Sequence, residues 1–174
     1  MASVVDDPAA QFRTGTTWGR AVRNNPAILT FICHYILTAL REETAVPLVR
    51  IDVQEGRSPD QLRRLADVVQ EVMLEVFDAP DRDRYQIITV HPAGHIIAED
   101  TNLGFERTAD LVILQIFQQG RTDEHKKAAY AKLAERLEAE VGLRPTDLIV
   151  SVVANERADW SFGLGRAQFL EGDL

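Results

Sequence analysis

Three residues of this chain combine a reactive type with a setting that the sequence itself defines: Pro47, Asp83 and Arg121. Pro47 opens the alternating segment AVPLVRIDV, residues 45–53. A peptide-bonded proline has neither an available lone pair nor an N–H. A proline with a free amine is different. It titrates near the ordinary α-amino value of about 7.7–8.0, so small shifts decide whether it serves as acid or base. Held as an ammonium beside a carbonyl oxygen it stabilises developing negative charge, and as an amine it can form an iminium. Asp83 stands just ahead of a second alternating segment, where it could order a water or keep such an amine protonated. The competing reading is an Asx turn between helix and strand. Arg121 follows Gly120 and precedes Thr122, a helix N-cap. A carboxylate bound there would meet a guanidinium fork and a helix N-terminus together.

These residues sit on a duplication. A shift of 64 residues lays LVRIDVQEGRSPDQ (48–61) over VILQIFQQGRTDEH (112–125), with Q-x-G-R-[ST]-x-[DE] shared. Asp83 then coincides with Asp147, and Arg121 with Arg57, so each candidate has a copy that argues for a structural origin. We expect function for Arg121 and structure for Arg57. Each unit, about 47–93 and 110–157, reads as strand, Gly-Arg turn, helix, loop and strand. The first helix begins at Ser58 with Pro59 at its first position and Gln61 closing a capping box. Leu62, Leu65, Val69, Val72, Met73 and Val76 form its buried stripe. The second begins at Thr122, with Asp123 and Glu124 complementing the helix dipole, and buries Ala129, Leu133, Leu137 and Val141. The second strands are expected at Tyr85–Val90 and Leu148–Val153. Two βαβ units predict an α/β (α+β) fold: a four-stranded sheet with two helices on one face. The bare opposite face predicts oligomerisation. The linker 91–110 has room for a short hairpin, and the tail Asp159–Leu174 is expected to form a hairpin or a lid.

Residues 1–46 differ in character. They carry no net charge, so the whole −8 falls on residues 47–174. Asn25 and Pro26 open a helical stripe through Leu40, whose apolar run is too short to span a bilayer and poorly organised as a signal peptide. The segment reads as a helical arm or as a mis-assigned start. In the latter case Val46 is the initiator, read as methionine and removed to leave a free Pro47. The acidic balance argues against nucleic acid or an anionic membrane as partner. The single cysteine, Cys33, excludes an internal disulfide and fits a reducing, cytoplasmic compartment. The four histidines lack metal-ligand spacing, so no metal site is expected.

The segments PLVRIDVQEGR (47–57), DRYQ (83–86), EDTNLGF (99–105) and DWSFGLGRAQFLEGDL (159–174) resemble malonate semialdehyde decarboxylase, in the tautomerase superfamily. The resemblance covers Pro47 to Leu174. It implies a cofactor-free homotrimer that decarboxylates malonate semialdehyde to acetaldehyde and CO2, with hydratase or keto–enol tautomerase activity as alternatives. It further implies an amino-terminal catalytic proline at Pro47, an essential aspartate at Asp83 and a substrate-binding arginine at Arg121. A second family arginine falls at Gln119, which lacks the charge and the fork. The aromatic pocket residues correspond to Trp160, Phe162 and Phe169, which are otherwise simply core at this kind of spacing. Where Pro47 is blocked by the extension, the rival is a non-catalytic trimeric interaction protein.

Overall fold

The computed structural model describes residues 47–77, 79 and 82–174. The helix expected over 26–40, and both readings of residues 1–46, lie outside the described residues. Strand β1, Leu48–Gln54, alternates strictly. Val49, Ile51 and Val53 are fully buried on one side, and Leu48, Arg50 and Asp52 point to the other. Helix α1, Pro59–Phe77, starts at the expected capping box: Gln61 N–H donates to Ser58 Oγ at 3.2 Å and Ser58 N–H to Gln61 Oε1 at 2.8 Å. Its stripe Leu65, Val69, Val72, Met73 and Phe77 is buried, with Leu62 and Val76 at the margin. Strand β2 is Tyr85–His91 and β3 is Val112–Gln118.

Helix α2, Asp123–Val141, is capped at both ends. Thr122 accepts from His125 N–H, and Gly142 takes the left-handed conformation that ends a helix, at φ 70°. Its buried face is narrow: Ala129, Leu133 and Leu137. Strand β4, Leu148–Ala154, completes the sheet. Charged residues join the two helices on their outer side, where Arg64 and Arg136 bridge to Glu71 and Glu140. Among the described residues no helix is long and apolar enough to cross a membrane.

The sheet order is β2-β1-β3-β4. β1 and β2 are parallel, β3 and β4 are parallel, and β1 and β3 meet antiparallel at the centre. The central register obeys the duplication. Leu48 faces Phe117 and Val53 faces Val112, so a 64-residue exchange maps one pair onto the other. One core, built from one face of the sheet and the two helices, holds the buried aliphatic residues. The expected four-stranded sheet with both helices on one side is therefore the observed fold.

Two expectations need correction. Residues 92–111 form turns, with no hairpin. The tail is no hairpin either: it makes a 3₁₀ turn at Arg157–Asp159 and one short helix, α3, Gln168–Glu171. Reciprocal bonds between Glu156 and Asp159 close the first turn. Gln168 bonds Phe162 N–H and the Gly163 carbonyl through its own amide, spending on a side chain the backbone groups a strand ladder would use.

Candidate active site

The strand directions bring separate stretches of sequence to one end of the sheet. β1 begins at Leu48, opposite Tyr85 of the parallel β2 and Phe117 of the antiparallel β3. Pro47 is therefore flanked by the segment entering β2, with Asp83, and by the segment leaving β3, Gln118 to Arg121. β4 ends beside them, with Ala154 opposite Gln118 and Asn155 N–H donating to the Gln118 carbonyl at 3.0 Å. Pro47 itself is buried.

Asp83 is 8% exposed. Its backbone carbonyl accepts from the Gln70 amide at 3.2 Å, which fixes the loop, but its Oδ2 is buried without a hydrogen-bond partner. Burial pushes its carboxyl up to about 6, because a charged form taken out of water is disfavoured. The repeat-related Asp147 is buried as well but differs in its partners. It accepts from Thr108 N–H at 2.6 Å and Thr108 Oγ1 at 2.8 Å, a loop clamp that uses both oxygens. The turn-forming explanation thus fits Asp147 and leaves Asp83 unaccounted for.

Gln118 Oε1 accepts the Arg121 N–H at 3.1 Å and shapes the turn through Gly120, where φ is 63°. The Arg121 guanidinium donates to the Phe77 carbonyl and lies 5.7 Å from the Phe77 ring centre. Arg57 is held in a parallel way, donating to the Asp110 carbonyl at 2.6 Å. Both arginines are thus anchored on backbone, and their anchoring does not separate them. Gln119 is 3% exposed, and neither atom of its amide finds a partner. An unpaired buried amide costs about 1–3 kcal/mol, a burden that a bound polar ligand would relieve.

Trp160, Phe162 and Phe169 come together. Trp160 and Phe162 stack at 5.5 Å and 15°, and Phe169 meets Phe162 edge-on at 5.3 Å. Phe162 also lies 5.7 Å from Tyr85 at the start of β2. The tail therefore leaves β4 on one side of the sheet and reaches β2 on the other, passing the end where Pro47 stands. Tyr85, Asn155 and Arg157 are members of this region that sequence reasoning missed. Of the buried side-chain atoms lacking partners, those of Asp83, Gln119, Asn155, Arg157 and Trp160 belong to this end, against Thr146 at the other. Such groups are rare in a folded chain, and strain, a catalytic role or a bound water or ion accounts for them.

Two family models, both described as tautomerase enzyme, match residues 47–106 and 83–163. The Probable tautomerase YrdN of Bacillus subtilis (strain 168) is 54% identical over 129 residues, which is 74% of this chain and 100% of the relative. The chain belongs to the tautomerase family. Among solved tautomerase structures, a malonate semialdehyde decarboxylase studied in wild-type, mutant and inactivated forms is 41% identical. That likeness covers 73% of this chain and 98% of the other, with a TM-score of 0.70. A fused 4-OT described as a symmetric trimer, 20% identical, has a TM-score of 0.60 over 72% of this chain and 98% of its own, a likeness of fold alone. Within this tautomerase the two repeats have diverged. The position 64 residues after Pro47 is Leu111, 2% exposed, and the position 64 before Gln119 is Glu55, which accepts from Ala93 N–H at 3.1 Å.

Proposed function

We propose that residues 47–174 form a cofactor-free decarboxylase of malonate semialdehyde or a similar small 3-oxo acid, working as a homotrimer. Hydration or keto–enol tautomerisation of related 2-oxo acids is the accompanying activity. The observation that carries the reading is Asp83: a buried carboxyl, free on one oxygen, beside the proline that opens β1. The 41% identity to a solved malonate semialdehyde decarboxylase supports the choice of substrate.

In the reaction the bond between the carboxylate carbon and the α-carbon breaks and CO2 departs. The electron pair left behind forms the enol double bond, and the carbonyl oxygen takes a proton from the Pro47 ammonium. The enol then gains a proton at carbon from water while its O–H proton returns to the Pro47 amine, which gives the aldehyde and restores the ammonium. Asp83 is ionised near neutral pH and favours the ammonium form of the proline. Arg121 orients the carboxylate, Gln119 contributes a neutral donor and acceptor, and Trp160, Phe162 and Phe169 keep water from the departing CO2.

This chemistry requires a free amine at Pro47, so the active form begins there. A relative whose whole length corresponds to 129 residues of this chain is consistent with a protein of that extent. The trimer accounts for the second face of the sheet, where Tyr85 and Ile87 are 41% and 46% exposed and Ile113 and Phe117 are half-buried. Turnover of malonate semialdehyde by a chain whose first residue is Pro47 tests the reading, and no detectable turnover would overturn it.

A further inference from the structure

Arg157 stands out among the basic residues of the described chain. It sits two residues beyond Asn155, whose N–H is tied to the Gln118 carbonyl, and so beside the turn that carries Gln119 and Arg121. Its guanidinium lies over the Phe169 ring at 5.2 Å, on the aromatic group formed with Phe162 and Trp160. Its Nε is buried without a hydrogen-bond partner, and it forms no ion pair with a described residue. Most other described arginines behave differently: Arg57, Arg63, Arg64, Arg84, Arg136, Arg144 and Arg166 each have a carboxylate within reach.

A cation held against an aromatic face with a desolvated N–H is poised for an anion. Stacking fixes the plane of the guanidinium and leaves its edge to donate. The neighbouring orphaned donors point the same way, for Trp160 Nε1 is also buried and unpaired, as is the Gln119 amide. We propose that Arg157 is an anion-binding residue of this site, a second cation beside Arg121 that grips the acid group of the substrate. This rests on the reading of the sheet end as a small-acid site. It adds that the site attracts anions more strongly than Arg121 alone allows, and that Gln119 can be neutral because the second charge comes from the tail.

Binding can be read without turnover, which separates this proposal from the catalytic one. Calorimetric titration of the chain beginning at Pro47 with malonate, a small dianion close in size to a 3-oxo acid, is compared with Arg157→Leu, Arg157→Lys and Arg121→Leu in the same chain. Leucine keeps apolar contact with Phe169 and removes the charge. The expected result is malonate binding weakened about tenfold or more by Arg157→Leu, as loss of a charge-assisted bond implies. Arg157→Lys should lose less than Arg157→Leu, since the charge stays while the stacked planar fork goes, and thermal midpoints should not move. Binding unaltered in Arg157→Leu but lost in Arg121→Leu would overturn the role of Arg157 and leave the acid site standing. A parent chain that binds no malonate would overturn both. Equal losses in the leucine and lysine variants, with a lowered midpoint, would make Arg157 a packing residue and also end the proposal.

Discussion

Asp83 carries a consequence for stability as well as for chemistry. Its carboxyl is raised from 3.8 to about 6 by burial, so the folded state holds a proton that the unfolded chain releases. Protonated on both sides below about pH 4, it then costs nothing. As pH rises toward 6 the unfolded state gains by ionising first, and stability falls by up to about 3 kcal/mol. Asp83→Asn should abolish that decline, which denaturant titrations at pH 4.5 and pH 7 will show. An unchanged slope in the variant would assign the pH dependence to other groups. The residue's type and position were readable from DRYQ and the duplication, but its unpaired oxygen was not. The same alignment that found Asp83 paired it with Asp147, and only the contact of Asp147 with Thr108, 39 residues earlier, tells the two apart. The sequence shows Gln119 only as a missing charge. Its complete burial, with both amide atoms unpaired, depends on packing that no local pattern encodes.

At the level of elements, the helices and strands were legible because their signals are local. Ser58 and Gln61 cap α1, Thr122 caps α2, and the alternation of β1 and β3 follows from the pleat. The tail was not, because its geometry rests on contacts with chemically ordinary residues elsewhere. Aromatic and glycine content reads as a hairpin or a lid, and the hairpin is absent because the Gln168 amide and glycines at positive φ, Gly163 and Gly165, fold the tail into turns. Arg157 went unnoticed for the same reason: nothing next to it in sequence announces Phe169. Phe169 is 6% exposed and touches both Phe162 and Arg157. Phe169→Ala should cost the tail about 3 kcal/mol of its hold. Hydrogen exchange will read this as loss of protection at residues 160–170 while the amides of β1 and β3 keep theirs. Loss spread evenly over the sheet would instead make Phe169 part of the main core.

For the molecule as a whole, the duplication produces a sheet with one covered face and one open. Helices α1 and α2 bury Val49, Ile51, Val53, Val112, Leu114 and Ile116. The other face presents Leu48, Ile87, Ile113 and Phe117 interspersed with Arg50, Asp52 and Gln115. In the proposed trimer this face is interior, so Phe117→Glu should reduce the assembly to monomers in sedimentation velocity. A trimer that survives the change would place the interface elsewhere. Divergence of the repeats confines the proposed site to one end of the sheet: Leu111 stands at the position of Pro47 in the second copy, the clamped Asp147 at that of Asp83, and Glu55 matches Gln119. The central claim is that the amine of Pro47 does the chemistry. The measurement that tests it most directly is the rate of malonate semialdehyde decarboxylation by the chain beginning at Pro47, beside its Pro47→Ala counterpart. The account predicts ready turnover in the first and a loss of at least about a hundredfold in the second, the scale of a removed proton-transfer group. Equal rates in the two would contradict it.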